Sequence, residues 1–333
     1  MTRKICCILL CILLCAGLCG CWDYRELKKF TFVAGLGIDR GDRAAYLVSA
    51  ELENIAPQSE GQVRDNAESV IISEQGDTIA EALSRLAVTT SGALYYENCE
   101  IAVLGQAVCA DLTAIVDFFT NDPRFRKNMQ LAVAQNTTAA AMFTVKPTSE
   151  PVLSQELAAS IRVSRDELSQ AGDAAGYQLF NESTGGLPSR ITCLYYSGEG
   201  DERTINAGGY ACFQNLRLQG FLSPEQAFYY SLLTDKVRRT ILTVPLQTGA
   251  AGFSLSAANC SQDHQTDRIT VHARIAAFKP EDKQYFSNLQ TQMEQQIQQL
   301  IQQLDQLHIA LPDISTQTRI HVEIRQADLT PIG

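Results

Sequence analysis

The sequence has few residues of the types that most often build active sites. It contains 4 histidines and 1 tryptophan, and only 19% of its residues are charged. It has no G-x-S-x-G nucleophile turn, no G-x-x-x-x-G-K-[ST] phosphate loop and no H-E-x-x-H zinc helix. These absences argue against the serine hydrolases, P-loop enzymes and zinc peptidases that carry such motifs.

Two of the histidines lie in alternating apolar segments that predict strands. The alternation places His272 and His321 on the polar faces of those strands, where hydration explains them. The acidic pair Asp201-Glu202 lies in a glycine-rich stretch typical of a solvated loop. We therefore predict no catalytic residue, no cofactor and no metal ligand, and we do not expect an enzyme.

The cysteines do not form a recognisable framework either. Of 11 cysteines, six lie at or before residue 21, and the other five are Cys99, Cys109, Cys193, Cys212 and Cys260. An odd number without C-x-x-C spacing or a nearby histidine argues against a zinc site. The apolar, strand-like surroundings of three of them favour small buried side chains. A single disulfide among the five is left open.

Basic residues are in deficit, and long apolar runs are almost absent. Without Arg3 and Lys4 of the leader, 25 basic residues face 37 acidic ones, a net charge of −12. Such an acidic chain is poorly suited to bind nucleic acid through its overall field. After residue 20 we find no apolar run long enough to span a bilayer.

The one long apolar run is at the amino terminus. Arg3 and Lys4 precede 15 uncharged residues, Ile5–Cys19, which have the length of a secretory signal core. The run ends in Leu18-Cys19-Gly20-Cys21, which resembles the bacterial lipobox, in which the final cysteine receives a diacylglyceryl group and becomes the new amino terminus. We predict lipid attachment at Cys21, since two acyl chains hold a protein stably on a membrane. An ordinary cleaved signal peptide and a short uncleaved anchor are the alternatives.

A glycine pair follows the first predicted strand. In Gly35-Leu36-Gly37 the spacing is that of a dinucleotide-binding loop, but Arg40 stands where the third glycine belongs. A turn and another strand follow instead of a helix. The pair is therefore interpreted as structural.

Strand-like and helix-like segments interleave without a regular βαβ repeat, which predicts the α+β class, with two or three small domains of mixed sheets flanked by helices. Thr78 with Glu81, and Ser223 with Gln226, have the spacing of helix-capping boxes, and the second helix is expected to run to about Arg239. The predicted divisions are a signal peptide at 1–20, an N-terminal α+β domain at 21–145, a helical connector at 146–200, and a C-terminal α+β domain at 201–333 with a long amphipathic helix at 280–308.

The long helix is the most distinctive feature of the second half. Its apolar residues form one stripe, and ten glutamines lie between Gln284 and Gln306, mostly off that stripe. A helix packed on its own sheet is the simpler interpretation. A partner helix or coiled coil is the other, because an uncharged face can be covered without desolvating ions.

The segment after the lipobox identifies a family. Cys21-Trp22-Asp23-Tyr24-Arg25-Glu26-Leu27, followed by Phe32–Asp39 ("FVAGLGID"), resembles the start of the Ger(x)C family, the lipoprotein C subunits of GerA-type germinant receptors of bacterial spores. The resemblance continues through Gly76–Gly105, Ile115–Ala134 and Gly208–Pro245.

The resemblance implies a non-enzymatic subunit, made of several small α+β domains, on the outer surface of the spore inner membrane. It would act in germination through contacts with an A-type and a polytopic B-type subunit. One departure is that Ala310–Gly333 lacks the Phe-Gly-containing segment usual in the family, which leaves partner contacts there in doubt. The alternative functions are an extracytoplasmic solute-binding lipoprotein and, less favoured, a cell-envelope hydrolase.

Overall fold

The computed structural model describes residues 30–53, 69–90, 92–200, 203–234, 236–247, 249–311 and 314–327. The predicted signal peptide, Cys21 and the pair Asp201-Glu202 lie outside these ranges. Within them, no helix is long and apolar enough to cross a membrane.

The architecture is α+β, as the order of segments predicted. The described strands are β1 (Phe30–Arg40), β2 (Tyr46–Leu52), β3 (Val70–Gly76), β4 (Ala93–Tyr95), β5 (Ile101–Gly105), β6 (Gln130–Ala134), β7 (Ser189–Ser197), β8 (Thr204–Gln214), β9 (Arg217–Leu222), β10 (Thr240–Pro245), β11 (Ala250–Asp263), β12 (Arg268–Ala277) and β13 (Arg319–Gln326). The described α-helices are α1 (Ile79–Thr89), α2 (Thr113–Asn121), α3 (Ala139–Met142), α4 (Leu153–Val163), α5 (Gly176–Thr184), α6 (Pro224–Leu233) and α7 (Phe286–Gln306).

A mixed sheet of nine strands forms the larger part of the molecule. Eight of them follow the order β3-β2-β1-β5-β6-β7-β8-β9. Strands β1, β5, β6 and β7 run parallel, and β2 and β8 are antiparallel to their neighbours in this set. The short β4 pairs in parallel with the first three residues of β1.

Helices cover both faces of this sheet, because alternate residues of its central strands are buried on opposite sides. On one side, Ala102 and Leu104 pack in a core with α1, α2 and α5. On the other, Ile101 and Val103 pack in a core with α3 and α4. The apolar spacing that predicted α1 and α2 therefore corresponds to their buried faces.

The predicted capping residues begin their helices as expected. Thr78 Oγ1 accepts a hydrogen bond from the Glu81 backbone N–H at 3.1 Å, and the Glu81 carboxylate accepts one from the Asp77 N–H at 2.9 Å. At α6, the Ser223 hydroxyl and the Gln226 side chain each accept from the other's backbone N–H, at 3.2 and 2.8 Å. These bonds satisfy donors that a helix leaves open at its start.

A second sheet, in the order β10-β11-β12-β13, carries the long helix on one face. The helical stripe packs in a core with the inward residues of the sheet and with α6. Residues Pro280–Tyr285, which we expected to be α-helical, form a 3₁₀ segment, so α7 begins at Phe286. Gln292, Gln298 and Gln303 donate to backbone carbonyls of neighbouring segments at 3.4, 3.2 and 3.3 Å.

The two sheets meet at β8 and α6. Tyr210 and Cys212 of β8 face the core of the second sheet, while Ala211 and Phe213 face the core of the first. The Arg190 guanidinium, from β7, lies 5.2 Å from the Tyr210 ring centroid and 4.9 Å from that of Tyr230 in α6. One strand thus contributes to both cores.

The end of α6 differs from the sequence prediction. The helix ends at Leu233, not near Arg239, and the Thr234 hydroxyl bonds to the Tyr230 carbonyl at 3.0 Å. The N–H groups of Arg238 and Arg239 donate to Ser169 Oγ at 3.0 and 3.3 Å. A partner about 70 residues earlier in the chain therefore redirects this segment.

The predicted connector contains helices α4 and α5, but it also holds a strand. Strand β7 lies at its end and pairs in parallel with β6 and antiparallel with β8. This strand links the first half of the chain to the second within one sheet. The division into domains stays a prediction.

Candidate functional site

The glycine pair of the first strand creates space for helices. Strand β1 runs straight through the motif, so no phosphate loop forms there. A β-carbon at Gly35 would collide with Ser154 of α4, and one at Gly37 would lie 2.9 Å from the Phe143 ring. The pair is structural, as predicted: without side chains at these positions, the helices approach the strand closely.

A buried carboxylate at the end of the motif binds a helix start. Asp39 is 3% exposed, and its two oxygens accept hydrogen bonds from the backbone N–H groups of Ala139 and Ala140, each at 2.9 Å. Burial raises the pKa of Asp39, and the two N–H donors oppose that shift. A negative group at the start of α3 is favourable because helix N–H groups there lack partners.

A second buried carboxylate, on the adjacent strand, binds the next helix in the same way. Glu51 of β2 is 1% exposed and accepts from the N–H groups of Leu153 and Ser154 at 3.0 and 2.7 Å. It also accepts from the hydroxyls of Ser154 and Ser69, at 2.5 and 2.6 Å. Asp39 and Glu51 were not singled out from the sequence, because their partners lie about 100 residues away. Both acids therefore hold the starts of helices through these bonds.

Four of the five described cysteines are buried, among them the three predicted to be small buried side chains, and Cys260 is half-buried. All five described cysteines are outside any disulfide, which answers the open question for the described chain. Burial raises the pKa of the Cys99, Cys109 and Cys212 thiols to about 12, and raises that of Cys193 as well. Thiolates are therefore strongly disfavoured at these four positions.

Two histidines of the second sheet have polar partners. His272 lies between two residues: its Nε2 is 3.0 Å from Ser261 Oγ and its Nδ1 is 2.7 Å from Glu323. His321 lies beside Glu294 of α7, with 3.2 Å between Nδ1 and the carboxylate. The positions on a polar face agree with the prediction, whereas the contact with Ser261 was not foreseen.

The Ser261–His272–Glu323 chain has the atom order of a hydrolytic triad, so its surroundings matter. Ser261 is exposed on an open strand face. Its backbone belongs to the pairing of β11 with β12. Of the residues that the structure describes, no group of three or more His, Cys, Asp or Glu could hold a metal ion. We interpret the chain as a surface hydrogen-bond network.

A groove of about 580 Å³ lies where β1 ends and β2 begins. Phe180 of α5, which is 44% exposed, and Tyr46 and Leu216 provide apolar walls. Arg40 and Asp117 provide charges of opposite sign. A groove of this composition can accommodate a small polar molecule with an apolar part.

The opposite end of the sheet is where the described chain begins. We call it the N-terminal edge: the start of β1, strand β4, and the turns at 96–100 and 122–129, which precede the parallel strands β5 and β6. A second groove of about 500 Å³ lies here, lined by α1, β4 and Arg124. Val88, at the end of α1, is 79% exposed.

The turn at 122–129 is held rigidly by one aromatic side chain. Phe125 is 3% exposed and lies 5.0 Å from the Tyr96 ring and 5.2 Å from the Phe119 ring, measured between centroids. Because Phe125 points inward, its neighbours Arg124 and Arg126 project outward. The N-terminal edge therefore presents basic side chains on a fixed scaffold.

Comparison with known families gives two matches, one after the other along the chain. Residues 23–185 match the model described as the spore germination protein N-terminal domain. Residues 208–309 match the model described as the spore germination B3/GerAC-like C-terminal domain.

Two curated proteins of Bacillus subtilis (strain 168) are similar to this chain. Spore germination protein B3 is 27% identical over 143 residues, which are 42% of this chain and 37% of that protein. Spore germination protein KC is 28% identical over 145 residues, which are 42% of this chain and 36% of that protein. The alignments thus span a little over a third of each relative.

A solved structure shares the fold. The crystal structure of the GerBC protein aligns with 92% of this chain and 100% of its own, with a TM-score of 0.51 and 15% identity. At this identity the likeness concerns the fold, and it agrees with the α+β prediction.

Proposed function

Because the chain belongs to the Ger(x)C family of spore germination proteins, we propose that it is the lipid-anchored C subunit of a nutrient germinant receptor. In this proposal the mature protein begins at Cys21, which carries a diacylglyceryl group with palmitate-type chains. It lies on the outer surface of the spore inner membrane. It acts in germination through contacts with A-type and B-type subunits and has no enzymatic activity.

One observation supports the proposal most directly. The family match begins at residue 23, two residues after the lipobox-like Leu18-Cys19-Gly20-Cys21. In this proposal the signal and the acylated cysteine stand directly before the family domain. Such an anchor needs no membrane-spanning helix, and two acyl chains give stable attachment.

The non-enzymatic part of the proposal draws on the described side chains. The buried carboxylates bind helix starts, and burial keeps the thiols of four cysteines protonated. The Ser261–His272–Glu323 chain lacks a surrounding site. In this proposal these groups stabilise the fold, and the protein acts through contacts that its surface makes with other subunits.

The test compares two cysteines of the lipobox-like segment. In Cys21→Ala the acceptor thiol is lost, and we expect a protein without lipid by intact-mass spectrometry that no longer sediments with membranes. The matched control is Cys19→Ala, which keeps a small residue before Gly20 and should be lipidated normally. We also expect wild type, but not Cys21→Ala, to co-purify with A-type and B-type subunits.

Two results would contradict the proposal. One is an unmodified residue 21, or a leader still attached, in wild-type protein from spores. The other is a soluble Cys21→Ala protein that supports germination at the wild-type rate.

A solute-binding lipoprotein is the second candidate, and the groove of about 580 Å³ with Arg40 and Asp117 favours it. The two unlike sheets disfavour it, because solute-binding proteins place a ligand between two similar lobes. Thermal-shift measurements with amino acids and sugars separate the candidates. A binder gains stability as ligand exceeds Kd, whereas the C subunit alone should show no shift.

A further inference from the structure

We propose that the N-terminal edge of the large sheet is the membrane-facing surface of this protein and that Arg126 and Lys127 contact anionic lipid headgroups there. The inference rests on the proposed lipid attachment at Cys21. It adds which surface meets the bilayer and the chemistry of that contact.

The length of chain before the sheet limits where the anchor can be. Eight residues separate Cys21 from Phe30, and a fully extended chain of this length spans about 30 Å. Strand β1 itself, with 11 residues, is about 36 Å long. The anchor therefore cannot reach past the far end of β1, where Arg40 and the turn to β2 lie. The N-terminal edge, where the described chain begins, is the part of the sheet nearest to the anchor along the chain.

The basic side chains of this edge are grouped in the turn at 122–129, beside the exposed acids Glu97 and Glu100 of the turn at 96–100. Arg124, Arg126 and Lys127 lie in one turn with a single acid, Asp122, which bonds to Arg124 at 2.6 Å. Arg126 and Lys127 are exposed. This turn therefore carries an excess of positive charge in a mature chain whose net charge is −12.

The geometry of the turn keeps these charges in place. Phe125 is buried between them and the core, so the turn needs no reordering when it meets a surface. Lys127 Nζ also donates to the Thr120 carbonyl, which holds its stem on the same side. Basic residues held near an anionic surface strengthen binding to it.

An exposed apolar side chain completes the surface. Val88 is 79% exposed at the end of α1, and the neighbouring Ala87 lines the groove beside β4. Apolar and basic groups side by side are the combination that interfacial membrane contacts use. A membrane-embedded protein could use the same surface, and the test must separate the two.

The test uses full-length lipidated protein in vesicles of phosphatidylcholine, with or without phosphatidylglycerol. Cys260→Ser removes the half-buried thiol, and single spin labels are placed at Val88→Cys, Asn128→Cys and, at the far end of β1, Asp42→Cys. A nickel chelate on lipid headgroups then relaxes labels that lie near the bilayer. We expect relaxation several-fold stronger at residues 88 and 128 than at residue 42.

Charge reversal tests the headgroup contact. Arg126→Glu with Lys127→Glu should weaken the relaxation at residue 88 in phosphatidylglycerol vesicles and leave it unchanged in phosphatidylcholine alone. The matched control is Arg40→Glu with Arg43→Glu, two exposed arginines at the far end of β1. This control should leave the relaxation at residue 88 unchanged in both vesicle types.

Equal relaxation at residues 42 and 88 would overturn the orientation. An unchanged signal after reversal at 126 and 127 would overturn the headgroup contact, and so would relaxation at 88 that appears only with the polytopic partner present. If the protein instead lacks lipid and does not bind vesicles at all, the proposed function fails before this question arises.

Discussion

At the scale of single residues, the notable feature is that acids and thiols are used for structure. Asp39 and Glu51 bind helix N–H groups in place of water, and the four buried cysteines fill apolar space. Each of these groups would suggest reactivity if it were exposed in a cleft. Here burial places them in the core, where the acids bind backbone N–H groups and the thiols stay protonated.

The raised thiol pKa values predict the order of alkylation. A thiol with a pKa of about 12, as at Cys99, Cys109 and Cys212, is a thiolate in roughly one molecule in ten thousand at pH 8. Below that pKa the thiolate fraction, and so the reactivity, rises tenfold with each pH unit. We expect iodoacetamide to modify the half-buried Cys260 first in the folded protein, as measured by peptide mass spectrometry.

Unfolding provides the control for this experiment. In urea, all five cysteines after residue 21 should react at similar rates, because burial no longer protects them. Modification of Cys212 as fast as Cys260 in the folded protein would show that the burial described for β8 is wrong.

Ser261 gives the second residue-scale prediction. Its contact with His272 at 3.0 Å is not enough for catalysis without an oxyanion hole and an enclosed site. We expect no labelling of Ser261 by a fluorophosphonate probe, as read by mass spectrometry, and no difference between wild type and His272→Ala. Labelling that His272→Ala abolishes would revive the hydrolase alternative.

At the scale of elements, the sequence predicted correctly those strands and helix starts that depend on residues close together in the chain. The strand β1 and the caps of α1 and α6 depend on residues within a few positions, and the structure confirms them, although β1 is buried on both faces and not on one as its alternation suggested. The end of α6 depends on Ser169, which lies far away in the chain, and the predicted end near Arg239 was wrong. Strand β4 was missed because three residues are too few to show a period.

In the candidate site, too, features set by nearby residues were predicted and features set by distant residues were not. The sequence indicated that the glycine pair is structural, but not why, because Ser154 and Phe143 come from helices more than 100 residues later. For the turn at 122–129, the sequence indicated only a family resemblance. The outward position of its basic side chains depends on the burial of Phe125 and on the position of β1. The periodicity of the sequence shows neither of these.

The glycine pair also gives the element-scale prediction. In Gly37→Ala the new methyl group would lie 2.9 Å from the Phe143 ring and 3.0 Å from Ala139, so α3 must move away from the sheet. We expect a loss of about 1–3 kcal/mol in the free energy of unfolding, as for other overpacked cores. Urea titration followed by circular dichroism measures it.

A nearby glycine provides the control. At Gly92 the nearest atom to an added methyl group is 3.7 Å away, so Gly92→Ala should change stability by less than about 0.5 kcal/mol. Equal stabilities for Gly37→Ala and wild type would mean that α3 does not pack on β1 as described.

At the scale of the whole molecule, the two cores are joined by a shared strand and not only by a linker. Strand β8 adds Phe213 to the first core and Tyr210 to the second. The Leu112 N–H, at the start of α2, donates to the Leu216 carbonyl in the β8–β9 turn at 2.9 Å. A cut at the predicted boundary after residue 200 would separate β7 from β8.

This arrangement predicts how fragments behave. Residues 22–200 would lack β8, so the edge of β7 is left unpaired and the fully buried Phe213 is lost, a side chain whose burial contributes about 1.5–3 kcal/mol. Residues 22–222 keep both β8 and β9 and expose only the face that carries Tyr210 and Cys212. We expect the longer fragment to melt at a clearly higher temperature than the shorter one, as measured by circular dichroism, and the whole chain higher still. If residues 22–200 melt cooperatively at the temperature of the longer fragment, the first core is complete without β8, and the boundary at residue 200 separates independent domains.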